Sequence, residues 1–130
     1  MSPEIPREWF ALAEQNARVA RAALEQNLGL ETAAFQIHEA AEKALKGYLI
    51  TAGWELSKTH VLPFLAGEAR QKDPRFGACV GLCGRIDSYL LVRYPPFPEV
   101  LATAEELDTD LAEVEALIKL ARQVVKETLG

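Results

Sequence analysis

The chain has 130 residues, the length of one domain, and its 49% hydrophobic and 25% charged content is that of a globular protein rather than a disordered one. Fourteen Lys and Arg against nineteen Asp and Glu leave a net charge of −5. Cation neighbours such as Arg18/Arg21 and Lys43/Lys46 are isolated pairs, which argues against nonspecific coating of DNA or RNA.

Every long segment repeats its apolar residues at three and four positions, the helical period. The first helix carries Trp9, Leu12, Ala13, Asn16, Ala20, Ala23 and Leu24, with Pro6 in its first turn and Gly29 as its stop. A second runs from about Glu31 to Ala52 on a stripe of Ala34, Ile37, Ala41, Ala44, Leu45, Tyr48 and Ala52, and Gly53 ends it. Opposite that stripe lie Glu39, Glu42, Lys43 and Lys46, which read as a solvated face. A short helix between Thr59 and Arg70 is expected to start at Leu62, because Pro63 fits only its first turn. Asp73-Pro74 reads as an N-cap opening a helix to about Val92. Arg93-Tyr94-Pro95-Pro96-Phe97-Pro98 breaks the pattern, since prolines remove donors and hold preceding residues extended. Thr103-Ala104-Glu105-Glu106 has the capping-box form, and the last helix continues to about Leu129. No segment alternates as a strand does. The expectation is a single all-α domain over residues 1–130, an up-and-down bundle of four main helices plus a short additional one.

No apolar run approaches the ~20 residues of a membrane span. Met1 to Glu8 shows no secretion signal, and two cysteines suit a reducing compartment, so a cytoplasmic protein is expected. Cys79 and Cys83, with His38 and His60, have the composition of a zinc set, but both cysteines continue an apolar stripe and read as buried hydrophobes. No metal and no cofactor is expected; glycine-rich phosphate loops and metalloprotease motifs are missing. Gly77, Gly81, Gly84 and Ser88 form a ridge of small residues, expected to admit another helix of this chain or of a second copy. At the proline corner, Arg93 offers a planar fork for phosphate or carboxylate and Tyr94 a stacking face with a polar tip. A structural corner, with Arg93 capping the preceding helix, explains the same residues equally well.

Phe35-Gln36-Ile37-His38-Glu39-Ala40-Ala41-Glu42-Lys43-Ala44-Leu45-Lys46-Gly47-Tyr48-Leu49 resembles the second-helix signature of HEPN domains (higher eukaryotes and prokaryotes nucleotide-binding). Thr59-His60 before Leu62, and the Arg93-Tyr94-Pro95 corner, are similar to two further family features. The resemblance implies a helical bundle, commonly a homodimer, often paired with a minimal nucleotidyltransferase in toxin–antitoxin or defence-like systems. Many members are metal-independent ribonucleases that use an arginine and a following histidine with four to six residues between them. Here Arg93 is followed in that window by Pro98-Glu99-Val100, and neither His38 nor His60 follows an arginine at that spacing. The resemblance therefore implies a non-catalytic module that binds a nucleotide or a partner protein through Arg93 and Tyr94, with Lys43, Lys46 and His60 as further candidates. A ribonuclease lacking the usual motif, with His60 folded near Arg93, is the alternative.

Overall fold

A computed structural model describes residues 4–55, 59–97 and 102–129, and of Glu4 and Arg93 the backbone only; Pro98, Glu99 and Val100 lie outside the described residues. Among these residues there is no strand. The order is α1 (Glu4–Glu25), α2 (Leu30–Thr51), α3 (Leu62–Lys72), a 3₁₀ segment Pro74–Cys79, α4 (Val80–Ile86), a second 3₁₀ segment Asp87–Arg93 and α5 (Ala104–Leu129). The all-α bundle is as expected, and no described helix is long and apolar enough to cross a membrane.

α2 forms the centre. It packs against α1, α5, α3 and the Asp87–Arg93 segment, and it is buried on nearly every side between Ala33 and Leu49. The expectation of a solvated charged face therefore fails for two of its four residues: Glu42 is 6% exposed and Lys46 4%. Charge pattern alone marked that face as outer, but α2 has neighbours all round it. On α1 the buried row is Phe10, Ala13, Ala17, Ala20 and Ala23: Ala13, Ala20 and Ala23 are as read from the sequence, Phe10 and Ala17 stand where Trp9 and Asn16 were expected, and Leu12 is 47% exposed. Small side chains let α1 and α2 approach closely. At Gly47 a Cβ would stand 3.0 Å from both Phe10 Cε1 and Trp9 Cβ, so the crossing requires glycine there.

The helix ends follow local chemistry. Asn27, at φ 53°, takes the left-handed position that closes α1, and Leu28 N–H reaches back to the Ala23 carbonyl at 2.9 Å. Gly29, expected to be that stop, instead precedes α2 with φ 112°. Gly53 does end α2, with φ 90° and the Trp54 N–H bonded to the Leu49 carbonyl at 2.9 Å. α3 begins at Leu62 with Pro63 in its first turn, as read from the sequence. At α5 the capping box is closed both ways: Thr103 Oγ1 accepts from Glu106 N–H at 3.1 Å and Glu106 Oε1 from Thr103 N–H at 3.0 Å.

The stretch expected to be one helix from Pro74 to Val92 is broken into 3₁₀, α and 3₁₀ pieces. Asp73 caps it as expected, its Oδ1 accepting from Arg75 N–H at 3.0 Å. Three interior glycines disfavour a continuous helix by about 1 kcal/mol each, and the tighter 3₁₀ turns sit on either side of α4. Among the described residues the small-residue ridge is covered by another helix only at Gly77, by the Arg70 side chain of α3. An added Cβ at Gly84 meets nothing within 4 Å, and at Gly77 and Gly81 only the arginine side chains of Arg70 and Arg85.

Candidate functional site

The loop before α3 and the middle of α2 bring together four of the polar side chains singled out by sequence. Thr59 Oγ1 accepts the Val61 N–H at 3.2 Å, and Asp87 Oδ1 accepts the Leu62 N–H at 3.0 Å, which ties the loop to the start of the second 3₁₀ segment. Leu62 and Leu65, fully buried, anchor α3 against the core. This fixes His60 over Glu42. The imidazole Nδ1 lies 2.9 Å from Glu42 Oε1 and 3.0 Å from Oε2, while Lys46 Nζ donates to Oε2 at 3.0 Å. A carboxylate out of water is thus compensated by an ammonium and an imidazole. His60 keeps 46% of its side chain exposed. Since Nδ1 faces the carboxylate, Nε2 is the nitrogen left for a ligand, the arrangement by which a carboxylate orients a histidine.

One turn earlier a second set forms. Lys43 Nζ donates to Asn16 Oδ1 at 2.9 Å and lies 3.7 Å from Glu39 Oε1, and Asn16 Nδ2 donates to Gln36 Oε1 at 2.7 Å. His38, fully buried, places Nδ1 3.4 Å from Glu39 Oε2, and its Nε2 has no partner among the described residues. The His38 hydrogen bond, helped by the positive charge of Lys43, holds the Glu39 carboxyl below the usual carboxylate range against the opposing effect of burial. His38, Glu39 and Glu42 offer ligand atoms within 4.8 Å of one another, a candidate metal cluster. The ammonium groups of Lys43 and Lys46 already sit against these carboxylates, so an entering cation would compete with two fixed positive charges.

The proline corner lies beyond the second 3₁₀ segment. Tyr89 holds that segment to α5: its hydroxyl donates to Asp110 Oδ2 at 2.7 Å, and Arg85 Nη2 approaches Asp110 Oδ1 at 3.3 Å. Burial, then the Asp110 bond, pushes the Tyr89 hydroxyl well above the usual phenol range. Tyr94 follows with extended backbone, φ −138° and ψ 146°, as a residue before proline should, and is 72% exposed. Leu91 and Phe97 are exposed on either side of it in sequence. The Arg93 side chain lies outside the described residues. Cys79 and Cys83 are free and buried as expected, Cys79 donating to the Phe76 carbonyl at 3.0 Å.

Two residues that organise the structure around the site were not named from the sequence, Asp87 as the acceptor at the start of α3 and Asp110 as the partner of Tyr89, and Glu42 was named only as part of a solvated face, not as the anchor of His60. Only Glu42 carried a signal, its i,i+4 spacing to Lys46, and that pattern is shared by many solvated helices. A search of curated proteins finds no match. The family model described as "HEPN domain" matches residues 6–129, spanning all five helices, the Glu42–His60 pair and the proline corner. The chain belongs to the HEPN domain family.

Proposed function

We propose that this chain is a non-catalytic HEPN module that holds a nucleotide phosphate, or the surface of a nucleotidyltransferase partner, against Arg93, Tyr94 and His60. Family membership supports a nucleotide-binding or ribonuclease-type module. The observation that carries the binding reading is the Tyr94 ring, held out to solvent on extended backbone between a 3₁₀ turn and two prolines. In this reading His60 meets the ligand through Nε2. Glu42 and Lys46 position it from below, and Lys43 steadies the neighbouring Glu39 rather than meeting the ligand itself. The module works as a cytoplasmic homodimer in a toxin–antitoxin or defence-like pair.

Thermal denaturation with a nucleotide panel tests this. A ligand at 100-fold excess over its Kd stabilises the native state by about 2.7 kcal/mol, and Arg93→Ala or Tyr94→Ala should abolish that gain. A panel without any shift, together with failure to form a complex with a nucleotidyltransferase, removes the proposal. The Glu42–His60 contact favours one second reading, a metal-independent ribonuclease in which His60 moves the proton of a 2′-hydroxyl. Cleavage of RNA in chelator, lost in both His60→Ala and Arg93→Ala, would establish it in place of the first.

A further inference from the structure

We propose that the groove between α1 and the C-terminal half of α5 is a docking site for an acidic amphipathic helix of a partner protein. It lies apart from the Glu42–His60 site. The two helices run antiparallel, with Arg21 paired to Asp108 and Glu115 near one end and Arg122 Nε bonded to Glu14 Oε1 at 2.8 Å further along. Beyond that pair they enclose a groove of about 960 Å³. Its floor is apolar, with Phe10, Leu120 and Val125, and Leu129 is exposed at the end of α5.

Its charge is one-sided. Among the described residues Arg7, Lys119, Arg122 and Lys126 line it and no acid does, Glu14 holding Arg122 from outside the lining, in a chain whose net charge is −5. Among the described residues, Arg7, Lys119 and Lys126 have no ion-pair partner. Lys119 and Lys126 stand seven residues apart on α5, about 10.5 Å along the helix axis, with the Glu14-held Arg122 between them. Carboxylates at the same spacing on a helix lying in the groove would meet them in register, while its apolar face covers the floor. A lipid would want its cations gathered at one end of an apolar slot, and here they are spread along it. A nucleic acid would want an open ring face, but Phe10 is buried with the Arg122 guanidinium 5.4 Å from its ring centre. Both point to the acidic helix.

The test is fluorescence anisotropy at low salt with a fluorescein-labelled synthetic helix of about 14 residues, Leu on one face and Glu on the other, beside a scrambled peptide of the same composition. The ordered peptide should bind at least about tenfold more tightly than the scrambled one, weaken with salt, and lose about tenfold in affinity to Lys119→Glu/Lys126→Glu protein of unchanged circular dichroism. Arg7→Glu, in a separate helix, supplies the same test should the double variant fold poorly. Equal affinity for the two peptides, or binding unaffected by these substitutions, overturns the proposal. So does a result in which only an RNA oligonucleotide or anionic vesicles respond to them.

Discussion

At the scale of single residues, Glu42 is the pivot of the His60 contact. Its carboxylate holds Lys46 and His60 while nearly excluded from water, so removing it strands an ammonium in the interior. Glu42→Ala should cost about 3–5 kcal/mol in urea denaturation, whereas replacing both partners with apolar residues, Glu42→Leu/Lys46→Met, should cost far less. Equal losses would mean that water reaches the pair. Glu39 supplies a pH dependence. Its folded pKa lies below the unfolded value, so its contribution is present above the usual carboxylate pKa and is lost as the pH falls through the folded one. Stability should therefore fall in acid, and Glu39→Gln should flatten part of that fall in thermal melts taken between about pH 6 and pH 3. The sequence named Lys43, Lys46 and His60 without revealing which would be committed to a carboxylate. Glu39→Lys43 and Glu42→Lys46 have identical spacing, and only the tertiary packing distinguishes a partly buried pair from a buried one.

Among the elements, those with strong local signals were legible. The α5 box, Pro63 in the first turn of α3, the Asp73 cap and the Gly53 stop all depend on neighbours within four residues, and all are present. Thr103→Ala should lose about 1 kcal/mol of stability, measured by denaturant unfolding, with no change elsewhere. Long-range choices were not legible. Which row of α1 faces inward is decided by how closely α2 can approach, and that approach is set by Gly47 against Phe10 and Trp9. Gly47→Ala should destabilise by about 1–3 kcal/mol, because a well-packed crossing must open to admit a methyl group. An unchanged melting temperature would show that the two aromatic side chains move aside freely. The break-up of Pro74 to Val92 belongs here too: its apolar periodicity suited one helix, but its glycines weakened the continuity.

For the whole molecule, the family and the all-α bundle follow from a signature carried largely by α2, which is also the element most enclosed by the others. The Glu42–His60 contact is less legible than the fold because it joins a loop histidine to a central-helix carboxylate, and the proposed surface adds a corner more than thirty residues further along the chain. Under the proposed function the corner and the Glu42-held histidine form one ligand surface. Titration of ¹⁵N-labelled protein with a nucleoside triphosphate, followed by amide chemical-shift mapping, tests it most directly. The expected result is perturbation concentrated at residues 93–97 and 59–61, with Tyr94→Ala removing both sets together. Shifts confined to one of the two segments, or centred on the α1/α5 groove instead, would contradict it.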